Sequence, residues 1–206
     1  AIVTERKEAE KERQKWEREL TYSVKIGTFS KSVLAISPDG VWWGNQHYSL
    51  DAVTRIRWGA VRKTVNGIPA GTTYTVAFGD NRSEAAAEFS QEDIFGNFIE
   101  RLWRGVGVRL LVAFLEALRA GQQAGFGDAV VGDSGIILTK HKFFGSNEQV
   151  PCTWSQVHIW TADGSFFVGA KLDKKAYVGL SYISSPNTHV LEHAIRAAFK
   201  KPGMRK

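Results

Sequence analysis

The chain has 206 residues, 43% of them hydrophobic, with seven Trp and twelve Phe; that is ample for packed cores and excludes global disorder. No apolar run approaches the ~20 residues that a membrane-spanning helix needs, and the single cysteine, Cys152, has no partner for an internal disulfide, which fits a reducing, cytoplasmic setting. A net charge of +6 permits anionic partners without requiring them.

Residues Glu5 to Leu20 mix Glu, Lys and Arg with few apolar residues, and pairs such as Glu8–Lys11 fall at helical spacing. A solvated helix is expected there, with Trp16 and Leu20 as its only sticky edge. Strands are expected from Val24 onward. Val33–Ile36 and Val41–Trp43 flank the turn Ser37-Pro38-Asp39-Gly40. Tyr48 to Trp58 places Leu50, Val53, Ile56 and Trp58 at irregular spacing, which reads as a bulged strand. Val65-Asn66-Gly67 and Asp80-Asn81 are further turns. Ser90 with Asp93 reads as a helix cap, and Ile94, Phe95, Phe98, Ile99, Leu102 and Trp103 then form one helical face. Gly105 and Gly107 interrupt it. A second helix follows from Val108 with a Leu111, Val112, Leu115, Leu118 stripe.

After the glycine-rich joint Gly121–Gly127 the strands resume. Gly135 to Phe144 reads as one long strand, Gly145-Ser146-Asn147 as its turn, and Val150–Trp160 as its return. Asp163-Gly164 and Asp173-Lys174-Lys175 turn the chain between Phe166–Leu172 and Ala176–Ile183. Ser185-Pro186 opens a last amphipathic helix ending near Lys201. The chain therefore reads as written twice: turn-rich antiparallel strands, one Trp-centred segment and one closing helix in each half. Such repetition points to duplicated folding units. The helix from Val108 has no counterpart in the second block.

An amphipathic helix closing the open end of a small curved sheet is the logic of the pleckstrin-homology-like (PH-like) barrel. Gly135-Ile136-Ile137-Leu138-Thr139, Val150-Pro151-Cys152-Thr153-Trp154-Ser155-Gln156-Val157 and Ser185-Pro186-Asn187 resemble segments of bacterial PH-like domains; the first block is similar to them in less detail. The resemblance implies a mainly β, α+β protein: a charged helical extension over 1–23, a PH-like domain over 24–121 carrying the additional helix, and a second over 122–206 with a basic tail. Each domain is expected as an antiparallel barrel or sandwich capped by its C-terminal helix. The resemblance also implies binding of lipid headgroups or peptides.

Motifs for catalysis are sparse. His189-Val190-Leu191-Glu192-His193 spells the inverted zinc-protease pattern, but no acidic ligand follows it. At about 100° per residue His189, His193, Arg196 and Lys200 share one stripe, which reads as a wet, cationic helix face. No phosphate-binding loop and no nucleophile elbow occur, and Cys152 reads as a small buried hydrophobe. No cofactor and no metal are expected.

Basic clusters are the better binding candidates. Lys140 and Lys142 are expected on one strand face beside an exposed Phe143-Phe144, with Lys171, Lys174 and Lys175 at a turn. By the resemblance, basic residues around a domain's first hairpin grip phosphorylated headgroups, which marks Lys140 and Lys142. Arg55 and Arg57, with Arg62 and Lys63, form a similar group in the first block. Ordinary solvated strand edges account for the same residues. Trp42-Trp43 puts one ring on each sheet face, and Trp43 is taken as a partner-binding aromatic. The expected function is a non-enzymatic adaptor that recognises a protein segment or an anionic surface. Peripheral association with acidic phospholipid is the alternative. Nucleic acid is disfavoured, because the basic residues are dispersed and no module for it is visible.

Overall fold

The computed structural model describes residues 2–200, with side chains over 4–197. Helix α1 (Ile2–Leu20) is charged along its length, and its last residue, Leu20, is buried. Four antiparallel strands follow in meander order: β1 (Tyr22–Ile26), β2 (Ser32–Ser37), β3 (Gly40–Trp43) and β4 (Gln46–Tyr48). A 3-10 turn, Leu50–Ala52, leads to a three-stranded meander of β5 (Arg55–Val65), β6 (Ile68–Gly79) and β7 (Glu84–Phe89). Helix α2 (Glu92–Leu102) closes this unit by burying Ile94, Phe98 and Leu102. Strand alternation drives the packing, since every second side chain faces inward: Leu34 and Ile36 of β2, Ile56 and Trp58 of β5, and Val76 and Phe78 of β6 are all buried. Phe78 lies between Tyr48 and Phe98, with ring centroids 6.0 and 6.1 Å away. Each such side chain contributes about 1.5–3 kcal/mol through removal from water.

The same order returns. Helix α3 (Val108–Arg119) precedes β8 (Ala124–Phe126), β9 (Ala129–Val131), β10 (Gly135–Lys140) and β11 (Glu148–Thr153), again a four-stranded meander. A 3-10 turn, Trp154–Gln156, leads to a three-stranded meander of β12 (Val157–Ala162), β13 (Ser165–Ala170) and β14 (Tyr177–Ser181), and α4 (Thr188–Lys200) ends the unit. Leu138, Phe166, Val168, Leu180, Leu191 and Ile195 are among its core residues. All strand pairs are antiparallel. The protein is thus mixed α+β, and the described residues form four open sheets, none closed into a barrel.

The chain separates into two units, 1–108 and 109 onward, so the division falls ahead of the Gly121 joint. Leu118 belongs to the second core. The helix that has no counterpart by sequence therefore has one in space: α1 opens the first unit and α3 the second, each with a buried leucine in its last turn. The glycines before it do not stop the helix either. Trp103–Gly107 forms a π turn that carries α2 into α3. Gly107 is required there by close approach, because a Cβ would stand 2.2 Å from the Trp103 ring.

Other expectations are corrected in detail. The irregular spacing after Tyr48 is a 3-10 turn and not a bulge; the register shift lies between Arg62 and Thr64. The Ser90–Asp93 cap does not form: Gln91 is the residue before α2 and makes no side-chain cap bond. The Gly121–Gly127 joint contains strand β8. The long strand from Gly135 ends at Lys140, and Val150–Trp160 divides between β11 and β12, which lie in different sheets. Helix α4 starts at Thr188, whose hydroxyl donates to the Ser185 carbonyl. The basic residues from Lys201 onward lie outside the described residues.

In the first unit β5 and β6 run past the core. Residues 60–71 are all exposed, forming a two-stranded arm with Val65 and Ile68 at its tip. Strand β5 is an edge strand along its whole length. Arg62, Lys63, the register shift beside it and Pro69 are features that discourage pairing with another chain.

Candidate functional site

The lysines of the second unit gather at two loops, His141–Asn147 after β10 and Lys171–Lys175 after β13. Lys140 links them. Its Nζ donates to Asp173 Oδ2 at 2.6 Å, and its backbone forms an isolated antiparallel bridge with Ala176. The hydrogen bond holds the Lys140 ammonium above the usual lysine range and the Asp173 carboxyl below the usual carboxylate range. Asp173 also accepts the Lys175 backbone N–H at 3.0 Å, which shapes the second loop as an Asx turn.

Lys142 lies in the first loop and not on the strand, so it does not share a strand face with Lys140. Its Nζ is 3.0 Å from Glu148 Oε2, and this hydrogen bond holds the Glu148 carboxyl low. The exposed His141 and Asp128 are paired at 2.5 Å. Lys171 donates to the Ser155 carbonyl at 2.7 Å and is drawn toward the Trp154–Gln156 turn. Lys174 and Lys175 are exposed. The two loops also carry bare apolar side chains: Phe143 is 94% exposed, Phe144 85% and Leu172 96%. Leu172 escapes sequence reading because the apolar run Phe166–Leu172 looks like one strand, whereas β13 stops at Ala170.

The first-unit candidates are arranged differently. Arg57 makes a forked pair with Glu84, Nε donating to Oε2 at 3.1 Å and Nη2 to Oε1 at 2.5 Å, with both side chains mostly covered. This geometry is bidentate and commits the guanidinium to joining β5 and β7. Arg55 is half-buried opposite Gly79 at the start of β5. Trp43 pairs with Leu34, and Val41 lies two residues before it on the same strand; both are buried, so Trp43 is on the inward face. The outward ring is Trp42, stacked on His47 with centroids 4.4 Å apart.

The H-x-x-E-H segment is drawn into a structural network. Glu192 accepts the Tyr182 hydroxyl at 2.7 Å through Oε2 and Arg196 Nε at 2.8 Å through Oε1. Burial, the hydrogen bond to Glu192 and its charge push the Tyr182 phenol up. His189 stacks on Tyr182 at 4.6 Å, and His193 Nδ1 meets the His189 carbonyl at 2.7 Å. The helix face expected to be purely cationic thus carries a carboxylate held between two donors. Among the described residues no group of three metal-ligating side chains converges. Cys152 is buried, and burial raises its thiol pKa.

No family model matches the chain, and no curated protein or solved structure matches it either. Among the described residues no helix is long and apolar enough to cross a membrane.

Proposed function

We propose that this chain is a non-catalytic binding protein built from two PH-like units, and that the loop end of the second unit recognises an anionic partner. The PH-like reading is supported by a four-strand meander, a three-strand meander and a closing helix in each unit. The binding reading rests on one observation: the Lys140–Asp173 pair and the Lys140–Ala176 bridge hold two lysine-bearing loops together. Such a cluster attracts negative charge over about a Debye length, ~10 Å at moderate salt.

Retention on immobilised heparin, used as a generic polyanion, tests the reading. Wild type elutes at higher salt than a Lys171→Glu/Lys174→Glu/Lys175→Glu variant. Identical elution of the two folded proteins would remove these loops from the binding surface.

A further inference from the structure

We propose that the β5–β6 arm of the first unit is a nucleic-acid-binding ribbon that enters the major groove of B-form DNA tip first. Arg62 and Lys63 meet the phosphates of the two groove walls, and Val65 and Ile68 meet base edges at its floor. This site lies apart from the second unit's loops and does not depend on them.

The arm is exposed along residues 60–71, and burial gives no reason for its existence. A ribbon without a core adds little stability. Guarding a strand edge accounts for cations on it, but not for the extension of the edge past the core.

Its charge has one sign. No Asp or Glu occurs from Arg55 to Gly79, which includes both strands of the arm. Strand β7 pairs with β6 only from Tyr74 onward, so its Glu88 stands opposite Thr75, below the arm. Arg62 and Lys63 are consecutive on β5 and therefore point to opposite faces of the ribbon. Their charges face outward on both sides, which suits a partner with two parallel anionic rails.

Dimensions agree with a groove. A two-stranded ribbon with its side chains is roughly 10 Å thick, against a major groove about 12 Å wide. Arg62 and Lys63 lie two and three residues behind Val65, roughly 7–10 Å from the tip at ~3.4 Å per residue, which matches a groove about 8.5 Å deep. Cations at that height reach phosphates while the tip touches bases. The tip is narrow, because Asn66 and Gly67, with φ of 52° and 79°, close the hairpin. Val65 and Ile68 are direct partners on one face, 61% and 69% exposed, and small aliphatic groups pack against thymine methyls. On β6, Ala70 and Gly71 together oppose Lys63, which leaves that side slim. The arm presents no aromatic ring, so it lacks the groups that settle at a bilayer interface.

Fluorescence anisotropy of the full chain with a labelled mixed-sequence DNA duplex tests the proposal. Wild type binds the DNA duplex more tightly than an RNA duplex of the same length, whose major groove is too deep and narrow to admit the ribbon. Arg62→Gln/Lys63→Gln weakens DNA binding about tenfold or more at about 0.1 M salt and lowers the slope of log affinity against log salt by about 2. Val65→Ser/Ile68→Ser weakens binding but leaves that slope unchanged. The same differences persist in the Lys171→Glu/Lys174→Glu/Lys175→Glu background, so failure of the loop-end reading does not touch the arm. Equal affinity and slope for wild type and the Arg62→Gln/Lys63→Gln variant would overturn the proposal, as would equal binding of the RNA duplex. Polyglutamate competing as strongly as unlabelled duplex would transfer the arm to an acidic polypeptide and also overturn it.

Discussion

Lys140 and Asp173 meet at 2.6 Å across two loops that are distant in sequence. The contact both orders the loops and cancels part of their positive charge, so its removal has two opposed consequences. Asp173→Asn is expected to lower the melting temperature and at the same time to strengthen heparin retention. The stability part follows from linkage. Asp173 has its folded pKa below the unfolded value, so its contribution is present above the ordinary carboxylate range and is lost as pH falls through the folded value. Lys140 has its folded pKa raised, so its contribution is present below the ordinary lysine range and fades as pH rises through the folded value. The pair therefore stabilises between about pH 4 and pH 10. Thermal melts of wild type and Asp173→Asn should converge at the acidic end. A constant gap down to low pH would contradict the assignment.

Glu192 is held by two donors, Tyr182 and Arg196. Tyr182→Phe removes one of them from a mostly covered carboxylate and is expected to cost about 1.5–3 kcal/mol, the range for a hydrogen bond to a charged group. Urea unfolding reads this directly. The folded-state phenol pKa is raised, so this stabilisation is complete below the ordinary phenol range and declines as pH rises above about 10. His193→Ala, by contrast, leaves both bonds to Glu192 in place and should shift stability far less than Tyr182→Phe. The reverse ranking would mean that the histidines, and not the Tyr182–Glu192 bond, hold α4.

Much of this architecture is legible in residue order, because period-two burial and glycine turns are local signals. The Leu34/Ile36 alternation, the α2 stripe through Ile94, Phe98 and Leu102, and the bare Phe143-Phe144 pair all follow from neighbours in the chain. What is hidden depends on contacts between distant residues. Strand β10 stops at Lys140 although no glycine or proline occurs before Gly145, and Lys140 there makes the Ala176 bridge and the Asp173 pair, contacts with residues more than thirty positions on. The break between β11 and β12 comes from a capping box in which the Thr153 backbone N–H donates to Gln156 Oε1 at 2.9 Å. That Thr-x-x-Gln pattern is local and legible as a helix start, and the continuous strand-like look of Val150–Trp160 masks it. Assignment of α3 to the second unit rests on Leu118 entering that core, which helical periodicity alone does not reveal.

The outer face of the β12–β13–β14 sheet carries a row of rings, His158, Trp160, Phe167 and Tyr177, with Trp160 and Phe167 stacked at 5.0 Å. Phe167 lies across Gly179: a Cβ there would stand 2.5 Å from the ring. Gly179→Ala is expected to push the ring aside and cost about 1–3 kcal/mol, as overpacking does. Loss should appear in the urea midpoint with little change in slope. A neutral substitution would mean that the ring relocates freely.

Cys152 reports on the integrity of the second unit. Burial raises its thiol pKa, so little thiolate exists at neutral pH and reagents reach it slowly. Modification by a disulfide reagent should be slow in the native protein and fast in denaturant. Equal rates would mean that the β10–β11 pair opens readily.

The β5–β6 arm offers the last test of which residues carry the first unit. Residues 60–71 are exposed on both faces, and a two-stranded ribbon without a core contributes little stability of its own. Replacing the segment between Val61 and Thr73, which are direct partners, with Asn-Gly supplies a tight turn suited to hairpins. The shortened protein should fold with a urea midpoint close to that of wild type, because Ile56, Trp58, Val76 and Phe78 lie outside the deletion. The opposite change, Lys63→Val with Pro69→Val, keeps the arm but strips its edges of charge and proline. Light scattering at raised concentration should then increase. Collapse of folding in the shortened protein would assign the arm a structural role, and unchanged scattering in the valine variant would show that Lys63 and Pro69 do not guard the edge.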